Sequence, residues 1–265
     1  MISLKVEVES ITLFNIMKFK NDSPEVEVEL PDVSNYFVEV EIKVNDHNVG
    51  IQRSRIHGLR VAKGSWILFL DQDDELIADG FEKQINLTSN ADVVVGNGFY
   101  QYRHGTTQIF NSLKSMNLLI SKKNFIQIRN LIPSPGECLI KKSAIPKSWI
   151  NSILLTNGAD DWLLWLLLFS SKCRFTCNQE YVYIHNNSNG QNLSLNIDKM
   201  YKSCIEMRDL LYKMKLFSNK EISSLHRAID FKYLQDTNQL TLGKLVYYSD
   251  VLKNNFIYKL CFRVY

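Results

Sequence analysis

The chain reads as an α/β protein with a mainly parallel sheet sandwiched by helices and a helical extension at its C-terminal end. Three observations predict the layered sheet and its tail. Strand-like and helix-like segments alternate over the first two thirds of the chain. The run Trp66-Ile67-Leu68-Phe69-Leu70 has the length and bounds of a strand buried on both faces. From about Asp198 onward only helical periodicity remains.

Leu4, Val6 and Val8 alternate with Lys5, Glu7 and Glu9, which predicts a half-exposed strand over 3–9. The same alternation recurs over 25–30 and 37–44, with a short helix expected from Thr12 to Lys20. Val49 to Ala62 reads as a helix closed by Gly64 as its C-terminal cap. The buried strand at 66–70 follows, then a helix near 78–88 and an apolar strand at Asp92-Val93-Val94-Val95. Helices are expected over Ser121–Asn130, Ser143–Ile150 and Asp160–Ser171, and strands over Gly136–Lys141 and 180–185. The helical tail should break at Leu216–Asn219 and near Asn238–Thr241. These patterns divide the chain into an α/β domain at 1–195 and a helical extension at 196–265.

Composition narrows the function. With 45% apolar and 22% charged residues, the 265-residue chain has the makeup of a globular protein. A net charge of +3 is too small for a nucleic-acid binder, which would show a concentrated basic stripe. Five cysteines without regular pairing imply reduced thiols and a cytoplasmic protein. Cys173 and Cys177 lack the second ligand pair of a zinc site. No apolar run is long enough to span a bilayer, and the first residues lack the apolar core of a signal peptide.

Four segments carry residues suited to chemistry. At the end of the apolar run stand Asp71, Asp73, Asp74 and Glu75, four acidic residues within five positions. They repel one another unless a cation sits among them, and a hard divalent ion such as Mg²⁺ or Mn²⁺ suits such carboxylates. The other reading is a solvated turn capping the helix that starts near Ala78. Upstream, Gly50 opens a helix whose free N–H groups favour an anion, with Arg53 and Arg55 able to reach a phosphate or a carboxylate. Taken alone, the segment is more simply explained as a capped amphipathic helix with solvated arginines. Asp160 and Asp161 head a very apolar helix, either as capping residues or with one of them as a general base beside Trp162. His185 ends a strand before a polar loop, as a metal or phosphate ligand or as a hydrogen-bonded loop residue.

In order and spacing, these segments resemble the family-two glycosyltransferases of the GT-A fold. The similarity covers residues 25–195 and is strongest at 48–80, where Asn48-x-Gly50 through Arg55 and Gly58 precedes Ala62-Lys63-Gly64 and the acidic Asp71–Asp74 motif. An acidic-Asp-Trp motif of the family is matched by Asp160-Asp161-Trp162. The resemblance implies that Asp73 ligates the divalent ion facing a nucleotide-sugar diphosphate, with His185 near the metal or leaving diphosphate. It further implies that Asp71 contacts the ribose or sugar, that Asp74 supports the site, and that Asp32 touches the base. Arg55 would order the nucleotide side. Asp161 would deprotonate the acceptor hydroxyl in an inverting transfer, with Asp160, Trp162 and Glu137 on the acceptor side.

The donor implied is a nucleotide diphosphate sugar, UDP-linked by default, and the acceptor a glycan or lipid-linked molecule in bacterial surface-polysaccharide or glycoconjugate synthesis. Basic and aromatic residues interleave in the tail, from Lys244 to Tyr265, as at a membrane surface or a contact between subunits. Such a contact would place the protein at the inner face of a membrane. The N-terminal segment departs from the family. It is charged, lacks the Pro-x-Tyr-Asn-like motif, and position 56 is Ile where Asn is usual. That departure supports an alternative, a catalytically weak homologue acting as partner of an active transferase. A nucleotidyltransferase ranks last, because no Gly-rich basic loop is visible.

Overall fold

A computed structural model describes the backbone of residues 2–5, 16–21, 39–71, 73–187 and 195–261, and the side chains of 45–71, 73–187 and 195–256. The strand expected at 25–30, Asp32 and the loop preceding Leu195 lie outside the described residues. Two sheets organise the α/β part. The first has four strands in the order β3-β2-β1-β5, comprising β1 (Ile2–Lys5), β2 (Ile16–Asn21), β3 (Glu39–Val44) and β5 (Phe69–Leu70). The second runs β4-β9-β7-β10-β6, with β8 (Gly105–Gln108) paired to β7. Its members are β4 (Trp66–Ile67), β6 (Glu75–Leu76), β7 (Val93–Tyr102), β9 (Cys138–Lys141) and β10 (Phe175–Asn186).

The α/β class stands, and the pairing is more mixed than expected. Among the described residues β2–β3 and β7–β10 run parallel, while the remaining neighbours run antiparallel. Antiparallel partners need no crossover helix, and β8 simply folds back on β7 through a two-residue connection. The segment expected as a helix up to Lys20 is strand β2 from Ile16 onward, where Met17 and Phe19 alternate with Lys18 and Lys20.

The apolar run at 66–70 divides between the two sheets. Trp66 and Ile67 pair with Lys141 and Ile140, whereas Phe69 and Leu70 pair with Ser3 and Ile2. All five side chains are buried, as a two-sided strand requires. Helix α1 (Ile51–Val61) ends on an extended Ala62 whose N–H bonds to the Gly58 carbonyl, so Gly64 does not act as the left-handed cap.

Helix α2 (Ala78–Asn86) lies on β10 at the close range that Gly80 permits. A Cβ there would stand 1.9 Å from the Tyr181 carbonyl oxygen. Helix α3 (Leu113–Leu119) packs on β10, while α4 (Lys122–Gln127) and α5 (Lys147–Asn151) pack on the helix that follows, α3 and α4 each opened by a serine cap. Helix α6 (Asp160–Ser170) is apolar nearly all round and is buried accordingly, from Trp162 through Leu168.

The tail consists of α7 (Ile197–Met214), α8 (Asn219–Asp236), α9 (Leu242–Tyr247) and α10 (Ser249–Cys261). Its breaks fall where sequence places them. Ser218 and Glu221 form a capping box that starts α8. Met207, Leu211, Leu225 and Ile229 join the main core, while Phe231, Tyr248 and Val251 form a smaller cluster of their own. Among the described residues no helix is long and apolar enough to cross a membrane.

Candidate active site

The site forms where β5 ends, α1 begins its second turn and α6 starts. Arg55 stands at its centre. Its position on the inner face of α1 buries it, at 5% exposure, between two carboxylates. Nη1 donates to Asp160 Oδ2 at 2.9 Å, and Nη2 donates to Asp71 Oδ1 and Oδ2 at 3.0 and 3.1 Å. Burial opposes the guanidinium charge, but Asp71, Asp160 and Asp161 outweigh it and raise its pKa. Arg55 thus ties the acidic loop after β5 to the head of α6, across 105 residues of sequence. Both Nη groups are engaged by protein carboxylates, one of the two kinds of partner that sequence allows this arginine. Arg53, two residues away, is exposed.

The helix N-terminus read as an anion site is occupied from within. Gly50 adopts φ 90°, and the Ile51 N–H donates to Asn157 Oδ1 at 3.2 Å. Asn157 lies in the loop leading to Asp160, so α1 and α6 are joined twice.

Asp161 keeps part of its surface exposed. Its Oδ2 accepts from Asn130 Nδ2 at 2.9 Å, and its Oδ1 accepts from the Trp162 N–H at 2.6 Å. Burial and the charge of Asp160 push its pKa up to about 7, against the pull of Arg55, the Trp162 N–H and Asn130. A carboxylate poised there is suited to accept a proton near neutral pH. Its neighbours are structural. Asp160 is 3% exposed and engaged by Arg55, and the Trp162 indole donates to the Phe125 carbonyl at 3.0 Å. Their polar groups are thus engaged within the protein.

On the other flank, Asp74 is buried and fully used. It accepts from the Tyr183 hydroxyl and from the Asn186 N–H at 3.0 Å, with His185 Nδ1 3.1 Å from its Oδ1. Asp73 is exposed. Partial burial and repulsion from Asp74 and Asp71 raise its pKa, while His185 pulls it down. Among the described residues no group of three His, Cys, Asp or Glu forms a protein-only metal cage. Asp73 and His185 stand on this same flank, near enough for the charge of each to act on the other.

Glu137, expected in an acceptor loop, is 0% exposed, with neither carboxylate oxygen hydrogen-bonded. Burial first, then Asp74, drives its pKa well above the ordinary carboxylate value. The short 3₁₀ turn at Pro135–Glu137 tucks this side chain inward instead of presenting it to solvent.

Two residues of the site escaped the sequence reading. Tyr183 shares a strand face with His185, two positions on, so strand alternation carries a signal for it. Asn130 is an ordinary polar residue after a short helix and carries none.

An acidic loop at strand ends is thus locked by a buried arginine to a second carboxylate pair. Residues 21–149 match the model described as Glycosyl transferase family 2. The fold is similar to the crystal structure of S. aureus TarS 1-349, with a TM-score of 0.52 at 13% identity, covering 83% of this chain and 64% of that one. A second structure, S. aureus TarS 1-349 in complex with UDP-GlcNAc, gives 0.51 at 14% identity, covering 80% and 63%. The chain therefore spans less than two thirds of the length of those structures. Comparison with curated proteins returns no match.

Proposed function

We propose that the protein transfers a sugar from a nucleotide diphosphate donor, UDP-linked by default, to a hydroxyl of a glycan or lipid-linked acceptor, with inversion. The observation that carries this reading is Asp161, a carboxylate raised to about 7 and linked through Asp160 and Arg55 to the acidic loop. Asp161 takes the proton of the incoming hydroxyl as the bond to the anomeric carbon forms. Arg55 holds Asp71 and Asp160 in fixed relation, so the donor and acceptor ends keep their separation. Asp74, gripped by Tyr183 and Asn186, fixes the loop from which Asp73 projects. Asp73 and His185 would hold Mg²⁺ or Mn²⁺, which would neutralise charge on the leaving diphosphate. The UDP-GlcNAc complex of a similar fold supports the choice of donor class.

Residues 1–195 constitute the transferase unit in this reading, with 196–265 as an appended helical element. Exposed Leu242, Val246, Tyr247 and Phe256 give that element an apolar surface for peripheral membrane contact or for a second subunit. Bacterial surface-polysaccharide synthesis in the cytoplasm is the setting that suits such an enzyme.

Calorimetric titration with UDP, with and without Mn²⁺, tests the proposal. Binding that requires Mn²⁺ and falls at least tenfold in Asp73→Ala is expected. Absence of binding to any nucleoside diphosphate would overturn it in favour of a non-catalytic partner protein.

A further inference from the structure

A cavity of about 210 Å³ opens beside the candidate base, between the head of α6, the segment after α4, and helices α7 and α8. Ile197, Met200, Cys204, Ala228 and Ile229 supply much of its wall. Most of the polar groups around it are already engaged, Arg129 with Asn255 at 3.0 Å among them. Tyr201 donates to Asp230 at 2.9 Å, Tyr233 donates to Asp198 at 3.0 Å, and Lys232 is paired with Asp236. What the wall offers an occupant is therefore mostly hydrocarbon and aromatic ring, and desolvating a sugar or phosphate there would go largely uncompensated. A dry apolar cavity of about 150 Å³ accepts benzene, so this one has room for a ring with a short substituent or a similar bulk of alkyl chain.

Its position gives the cavity a role. Asn130 and Trp162 both line it. Asn130 also donates to the Asp161 carboxylate at 2.9 Å, and Trp162 follows Asp161 in the chain. An occupant thus lies one side chain away from the group that must meet the acceptor hydroxyl. Helices α7 and α8, which build most of the wall, fall beyond the region matched by the family model.

We propose that this cavity seats an apolar group of the acceptor, an aryl ring or a short alkyl segment, and that the helical extension thereby selects the acceptor. The inference rests on the transferase reading above and names its acceptor class.

The test follows the Met200, Ile197 and Ile229 methyl resonances and the Asn130 side-chain amide of the full chain by NMR. Benzyl alcohol, 1-hexanol and, as polar control, glycerol are titrated in turn. Saturable shifts with the first two and none with glycerol are expected, and the tighter of the two tells an aryl from an alkyl group. Ala228→Phe, which fills the space, should weaken that binding at least tenfold while UDP affinity is unchanged. Cys204→Leu on the facing helix gives the same readout if Ala228→Phe does not fold.

No saturable shift, or undiminished binding in a folded, filled variant, would overturn the site. Methyl shifts without an Asn130 response would overturn its link to the acceptor. With donor present, a hexyl glycoside should show a KM at least tenfold below that of the free sugar. Equal values would overturn the acceptor assignment. Failure of the transferase reading itself would appear as absent nucleotide binding and leave the methyl shifts intact.

Discussion

Replacing Arg55 with Met removes the charge that joins Asp71 to Asp160 while keeping most of the side-chain volume. The Arg55–Asp160 contact is the costly one to break, since these side chains are 5% and 4% exposed. Removing one partner of such a buried pair costs roughly 3–5 kcal/mol, because the other charge is left without compensation. The Asp71 contact adds little, since Asp71 is 36% exposed and water takes over its solvation. At about 2–4 °C per kcal/mol for a chain near this size, Tm should fall by roughly 6–20 °C. Urea unfolding followed by tryptophan fluorescence gives the same quantity as a lowered midpoint with unchanged slope. The double variant Arg55→Met/Asp160→Asn removes the stranded charge and should recover much of the loss. A single variant within about 1 kcal/mol of the parent, or a double variant whose cost is the sum of its parts, would refute the buried-pair reasoning.

Transfer activity should rise with pH along a limb with an apparent pKa of about 7, because the base acts only when deprotonated. Asp161→Asn should abolish both the limb and the turnover, and a persisting limb would assign it to another group. The same shift has a stability consequence of defined sign. The native pKa lies above the unfolded value, so the native state binds the proton more tightly, and stability falls as pH rises from about 4 to about 7. Asp161→Asn should therefore be the more stable protein above pH 7 and match the parent below pH 4, as thermal unfolding at several pH values would show. Gly80→Ala places a methyl 1.9 Å from the Tyr181 carbonyl oxygen, so α2 must lift from β10. We expect a loss of roughly 1–3 kcal/mol or more, measured by chemical unfolding. An unchanged midpoint would mean that the helix is not held at this distance.

The tail was the most legible part of the fold, because helical periodicity and the Ser218–Glu221 cap are local signals. Local signals failed where partners are remote. Nothing within Trp66–Leu70 says that its two halves pair with strands more than sixty residues to either side. The acidic loop and the Asp160-Asp161 pair were visible as clusters of charge. Which members face solvent was not, since Asp73 is exposed and Asp74 buried within one turn. For Arg55 sequence allowed a phosphate or a carboxylate, and only the fold shows which carboxylates are brought to it. Glu137 looked available before its turn was seen to close inward.

The loop carrying Asp71, Asp73 and Asp74 is entered from β5 in the four-stranded sheet and left through β6 in the six-stranded one. Its two ends are clamped to separate hydrogen-bonded frameworks, so any shear between those frameworks changes the spacing of the carboxylates. The converse also holds. A ligand that fixes that spacing acts as a rivet between the two sheets, and nucleotide affinity and the stiffness of the α/β body rise together.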